Sequence, residues 1–383
     1  MKDYVIGLRR ELHMCAEVGT ELDQTLAVLR RELDSIGVEY TEKYGRSSLV
    51  ATVNPEKSHF TIAVRADIDG LPITEANDVP YKSKNEGKMH ACGHDAHAAI
   101  AMATLREIYA MRDKIDCRVK FIFQSSEEEH PSGAMMMARD GVMDGIDCIL
   151  ALHLDGGVDV GCVAGLAGGL SANSDGLVIE FFGRSAHAAQ QHKGVDAIMM
   201  AVHAYTQLEF MMSKEVDSRQ CAIFNIGTIH GGETNNIVCN HTEMYATLRT
   251  LDDSVREHIL ARINKICECV AASMGGEYRI THTKCYPSVI NDGKMHELFL
   301  KSAAKILPPE NIQPYHRSLG GEDFAYFARL KPGYMFRLGA RNRALGIIPV
   351  PHTNSYTIDE NALPLGVEIF KQFILDNMRG IEF

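Results

Sequence analysis

Four short apolar runs constrain what this chain can fold into more than any other feature: Ser48 to Val53, Phe60 to Val64, Val119 to Phe123 and Cys148 to Leu152. Helical stretches alternate with them, notably Ala96 to Tyr109, and the stripe Leu26, Leu29, Leu33 and Ile36 marks an earlier helix. Strands alternating with helices predict an α/β layer built on a central, mostly parallel sheet flanked by helices. The chain has 383 residues, which favours two domains over one core. The middle of the sequence changes style accordingly. Leu177 to Phe182, Ala222 to Thr228 and Thr242 to Leu248 read as strands, with helices at Val195 to Met212 and Asp253 to Met274. We expect a smaller α+β domain at 173–287, inserted into a catalytic domain of 1–172 and 288–383 that ends in a helix near Leu365 to Met378.

Composition narrows the function classes. A net charge of −11 argues against a nucleic-acid or anionic-membrane partner. No apolar run approaches the roughly 18 residues needed to span a bilayer. The opening MKDYVIGLRRELHMC reads as an amphipathic helix with Val5, Leu8 and Leu12 on one face, not as a secretion signal. Ten cysteines without a framework pattern, in a chain this large, fit reduced thiols in the cytoplasm. On the helix predicted around them, the side chains of Cys267 and Cys269 diverge, and both are expected to be structural.

The chemistry concentrates at loops. MHACGHDAHAA, Met89 to Ala99, packs Cys92, His94, Asp95 and His97 immediately before an apolar helix. Thiol, imidazole and carboxylate are the ligands of borderline transition metals. Cys92 and His94 face the same way if that stretch is extended, and Asp95 would then open the helix beside its N-terminal dipole. SSEEEHPSGA, Ser125 to Ala134, follows the run ending at Phe123, and His153 follows the run ending at Leu152. RADIDGLP, Arg65 to Pro72, places carboxylates after another strand, and His352 precedes the last helix. Ligands in open α/β sheets bind outside the carboxyl ends of strands. Glutamate runs are usually solvated loops and lone histidines usually structural; five such loops at strand or helix ends point to one site. Cys92, His94, one glutamate, His153 and His352 supply five metal ligands, and an adjacent glutamate supplies a base for a hydrolytic water.

In that combination the residues resemble the M20 metallopeptidases, specifically their amidohydrolase subfamily D, which includes indole-acetyl-amino-acid hydrolases, hippurate hydrolases and N-acetyl-diaminopimelate deacetylases. RADIDGLP, MHACGHDAH, QSSEEE, ALHLD, GRSAHAAQQH, GGEDFAYF and HTNSYTIDENAL stand in the family's order, essentially from end to end. The resemblance implies that Cys92 bridges two divalent metals, zinc or else manganese, cobalt or nickel, with His94, Glu128, His153 and His352 as the remaining ligands. It implies Glu127 as general base, because the family's glutamate pair stands three and four residues after a glutamine, here Gln124. Asp69 matches a carboxylate that orients a ligand. The inserted domain resembles the family's lid: His187 matches the histidine that polarises the scissile carbonyl, and Asn236 and Arg249 match substrate contacts. The implied activity is hydrolysis of the amide bond of an N-acyl amino acid, a small molecule, with homodimers or homotetramers formed through the lid.

The chain departs from the family in places. QSSEEEHPSGA stands for QPAEE and glycines, Asn236-Ile237-Val238-Cys239-Asn240 for NVIPD, Gln191 for a proline before His192, and Leu154-Asp155-Gly156-Gly157 for an aromatic or proline context after His153. No ligand is lost, but pocket walls change. Three other readings compete. A cysteine hydrolase, with Cys92 as nucleophile and His94 or His97 as base, leaves the glutamates, His153 and His352 without a joint purpose. A dipeptidase or carboxypeptidase would carry aspartate where Cys92 bridges. A non-catalytic metal-dependent binding protein would have no need of Glu127.

Overall fold

A computed structural model describes residues 1–383, with the side chains of residues 284 and 285 left out. The chain divides into two units. The first comprises Met1–Gly168, Ile290–His316 and Asp323–Phe383; the second comprises Gly169–Val289 and Arg317–Glu322. The insertion expected at 173–287 falls inside the second unit.

The first unit is a mixed eight-stranded sheet whose four middle strands, Arg118–Gln124, Thr61–Asp67, Cys148–Asp159 and Gly333–Arg341, run parallel. Leu49–Val53 adds antiparallel outside Arg118–Gln124, followed by Glu39–Thr41. Val163–Gly165 and Ile312–Pro314 finish the other edge. All seven residues of Thr61–Asp67 are buried, as expected of a parallel strand covered on both faces.

The helix His94–Ala110 is the centre of the core, with 13 of its residues buried. Its alanines, Ala96, Ala98, Ala99, Ala101 and Ala103, let neighbours approach closely. The last helix, Ala362–Asn377, crosses it at Gly366, where an added Cβ would meet Ile100 Cδ1 at 2.9 Å and Leu338 Cδ2 at 3.0 Å. Lys2–Met14 also packs on it, burying Val5, Leu8 and Leu12, and Asp23–Ile36 follows.

In the second unit four antiparallel strands stand in the order Glu277–Tyr286, Asn173–Phe182, His241–Thr250 and Ala222–Gly231. The helices Ala197–Lys214 and Asp253–Met274 bury Met200, Ala204, Leu208, Ile259 and Ile263 against Leu177, Ile179, Phe181, Met244 and Leu248. The strand residues recur every second position, so the helices cover one face. Cys267 is buried and Cys269 exposed.

Candidate metal centre and its surroundings

Two loops of the first unit follow parallel strands at their carboxyl ends: Thr61–Asp67 runs into Asp69, and Arg118–Gln124 into Glu127 and Glu128. His153 lies within the strand Cys148–Asp159 itself, as its sixth residue. The Cys92 turn differs in detail from the sequence expectation. The helix begins at His94, not at Asp95, and Gly93 is its N-cap with φ of +98°. That conformation suits only glycine, and a Cβ there would meet the Tyr356 hydroxyl at 2.8 Å and Leu154 Cδ1 at 3.0 Å. Asp95 turns away from the turn, where Arg9 Nε and His13 Nδ1 each lie 2.7 Å from its Oδ2. Burial raises its pKa, and Arg9 and His13 outweigh burial, holding it far below the ordinary carboxylate range.

The ligand atoms form two overlapping triads. Cys92, His94 and His153 lie within 4.8 Å of one another, as do Cys92, Glu128 and His352. The Cys92 sulfur belongs to both. It stands 3.5 Å from His153 Nε2. Glu128 Oε1 lies 3.2 Å from His352 Nε2 and 3.8 Å from His94 Nε2. Glu127 Oε2 lies 3.9 Å from His94 Nε2, and Glu127 Oε1 accepts a long 3.4 Å hydrogen bond from the Asp323 N–H. His352 has φ of +61°, and its N–H donates to the Ala91 carbonyl at 2.8 Å, tying the last ligand loop to the Cys92 turn.

The residues fit a metal pair. His94 Nε2 is buried without a hydrogen-bond partner, and Glu128 Oε1, also buried, makes no well-aligned hydrogen bond. Buried polar atoms are rarely left so, unless an ion or water completes them. The donor set of one thiol, three imidazoles and a carboxylate suits borderline divalent cations. Burial, then Glu128, pushes the Cys92 thiol up to about 12, so a thiolate here needs neighbouring positive charge. Burial pushes His153 well below its ordinary range, which keeps the imidazole neutral and its lone pair available. Burial likewise opposes charge on His94, but Asp67 and Cys92 outweigh it and raise its pKa.

Asp69 accepts from the backbone of the glutamate pair. Its two carboxylate oxygens accept the N–H groups of Glu127 at 3.0 Å and Glu128 at 3.1 Å, and its carbonyl lies 2.9 Å from His94 Nδ1. His187, Asn236 and Arg249 are carried by the second unit. There the Ala189 N–H donates to His187 Nδ1 at 3.1 Å, so the neutral ring carries its proton on Nε2. The Ala188 N–H donates to the Asn236 carbonyl at 2.9 Å, placing those two segments side by side. Arg249 donates to the Thr247 hydroxyl at 2.6 Å and the Leu248 carbonyl at 3.2 Å.

Sequence reasoning missed a buried layer behind the ligands. Asp67 lies 2.6 Å from His97 Nδ1, and His97 Nε2 accepts the Leu154 N–H at 3.0 Å, fixing the residue after His153. Arg65 spans Gln124 at 2.8 Å, Asp67 at 2.7 Å and Asp323 at 2.6 Å. Burial raises Asp67, but Arg65, His94 and His97 outweigh it and hold it well below the usual carboxylate range. The sequence signal for this layer was present in the quoted motifs RADIDGLP and GGEDFAYF, whose Arg65, Asp67 and Asp323 were given no role.

The model of peptidase family M20/M25/M40 matches residues 63–376. The chain belongs to this family. Among M20 relatives, an N-acetyl-L-cysteine deacetylase of Bacillus subtilis is 32% identical over 363 residues, covering 95% of this chain and 85% of that protein. Thermostable carboxypeptidase 2 of Saccharolobus solfataricus is 30% identical over 369 residues, covering 96% and 93%. A solved Bacillus subtilis structure described as a dinuclear metal binding peptidase of the M20 family superposes with a TM-score of 0.85 at 27% identity, covering 99% of each chain.

Proposed function

We propose that this chain is an amidohydrolase that cleaves the acyl–nitrogen bond of N-acyl amino acids, with Cys92, His94, Glu128, His153 and His352 holding two divalent cations. The observation that carries the reading is the sharing of the Cys92 sulfur between two ligand triads, with Glu127 beside them. A deacetylase among the relatives supports the substrate class. The carboxypeptidase relative supports a second reading, a peptide with a free terminal carboxylate. When bound, the cations supply Lewis acidity to the substrate carbonyl and to the attacking water.

The chain's own residues do the rest. Glu127 takes the proton of the water and returns it to the departing amine; Asp69 holds the Glu127 backbone while it does so. His187 is assigned to the developing oxyanion through its Nε2–H, and Asn236 and Arg249 to the substrate, the arginine matching a free carboxylate with its forked donors. Zinc is the expected metal on ligand grounds, with manganese, cobalt and nickel as substitutes.

We assign the exposed apolar stripe Ile198, Val202 and Tyr205 on the helix Ala197–Lys214, beside the open edge strand Ala222–Gly231, to association with a second copy of this chain. The nine described cysteines are free, and we place the protein in the reducing cytoplasm on that account. Among the described residues, no helix is long and apolar enough to cross a membrane.

Replacing Glu127 by Gln tests the assignment of base. The variant is expected to bind two metals as tightly as the parent and to lose about 10²- to 10⁴-fold in kcat. Near-normal kcat with both metals bound would remove Glu127 from the mechanism.

A further inference from the structure

Beside the candidate metal ligands lies a buried cation that forms no ion pair among the described residues. Arg337 sits on the strand Gly333–Arg341, directly in register with His153 on the parallel neighbour Cys148–Asp159. Its residue surface is only 8% exposed, and its Nε is buried without a partner. Among the described residues the guanidinium makes no hydrogen bond and no ion pair. The ring of Tyr315 lies against it, with its centroid 5.3 Å from the guanidinium carbon.

Asp155, two residues on from His153 along Cys148–Asp159, is held by other donors. Asp155 Oδ2 accepts from the Tyr315 hydroxyl at 2.7 Å, and Asp155 Oδ1 accepts from the Gly157 N–H at 2.6 Å. Tyr315 is therefore held in place as the floor under Arg337, and among the described residues Asp155 makes no ion pair with the guanidinium. A buried charge left unpaired is strongly unfavourable, and buried arginines are otherwise paired. One built into a fixed aromatic stack, next to a residue that faces the metal pair, has the form of an anion site.

We propose that Arg337 binds a second carboxylate of the substrate, so that this chain prefers N-acyl amino acids bearing an acidic group besides the α-carboxylate. This rests on the amidohydrolase reading and deepens it by naming the substrate class. The second carboxylate belongs either to the amino-acid side chain or to the acyl group. In both cases a forked guanidinium receives it beside His153, where planar bidentate recognition favours arginine over lysine.

The test compares isosteric pairs on the metal-loaded enzyme: N-acetylglutamate against N-acetylglutamine, and N-succinylalanine against its succinamoyl analogue. The parent enzyme is expected to favour the acid over the amide in one pair by on the order of 10- to 100-fold in kcat/KM. Which pair shows it identifies the source of the carboxylate. Arg337→Met is expected to bring that ratio close to one, and Arg337→Lys to restore part of it; the lysine variant carries the comparison alone if the methionine variant does not fold. Ratios near one in both pairs for the parent, or a ratio that survives in Arg337→Met, would overturn the proposal. Calorimetric binding of the same four compounds to the metal-loaded Glu127→Gln variant reads the preference without turnover. If none of the four is hydrolysed while the acid still binds more tightly through Arg337, the amidohydrolase reading fails and the anion site stands.

Discussion

A thiol as deeply buried as Cys92 stays protonated at neutral pH unless cations replace its proton. Burial and Glu128 push it up to about 12 in the metal-free protein. A metal ion must therefore displace one proton from sulfur at any pH below that value, and its apparent affinity rises about tenfold per pH unit from this group alone. The sign follows from the raised pKa: more alkaline solution removes part of the cost of making the thiolate. His94, whose pKa is also raised, adds a second proton wherever its imidazole is still charged. Calorimetry of metal binding in two buffers of different ionisation enthalpy is expected to show at least one proton released near pH 7. Release of none would mean that Cys92 is not a ligand. At this scale the ligands were readable because cysteine, histidine and glutamate are crowded at a few turns. Arg65, Asp67 and Asp323 were not, because a buried charge looks like a surface charge in sequence. The partners are also remote in the chain; Arg65 and Asp323 are 258 residues apart.

Elements with one chemical style were legible, and those that mix styles were not. The helix Asp253–Met274 has the limits its sequence predicts, since Asp252 caps it through the N–H groups of Ser254 and Val255 and Gly275 closes it with φ of +71°. The strand Glu277–Tyr286 was missed, because EYRITHTKCY lies at the sheet edge and carries polar residues throughout. The strand Gly333–Arg341 was missed as well, as an arginine and two glycines interrupt its apolar run; Gly339 is needed where a Cβ would collide with the Asp159 carbonyl at 2.0 Å. The helix Ala197–Lys214 was read correctly as a helix, yet only the structure shows that it is apolar on two sides. Its inner side meets the sheet, and its outer stripe leaves Val202 52% exposed and Ile198 43% exposed. If that stripe joins two copies, sedimentation will show a dimer, and Val202→Asp will shift it toward monomer with the fold intact. A monomeric parent at micromolar concentration would contradict the assignment.

For the whole molecule, the alternation of strands and helices foretold a mostly parallel α/β layer, and the change of pattern in the middle of the chain foretold a second, smaller domain. The mixed character of the large sheet was beyond reach, because its antiparallel edges are strands of three to five residues, such as Glu39–Thr41 and Val163–Gly165, too short to carry a period. What binds the chain's two ends into one functional body is also long-range: His352 reaches the Cys92 turn through Ala91, and Glu128 meets His352 across more than half the sequence. The account stands or falls on two cations acting together at that place. Its most direct test is to strip the protein with chelator and add back zinc, or manganese, cobalt or nickel in parallel, while following release of free amino acid from N-acetyl amino acids and recording bound metal. Hydrolysis that is absent in the stripped protein and reaches its plateau at two equivalents per chain is the predicted result. Full hydrolysis by the stripped protein, or none with two cations bound across the whole panel, would contradict it.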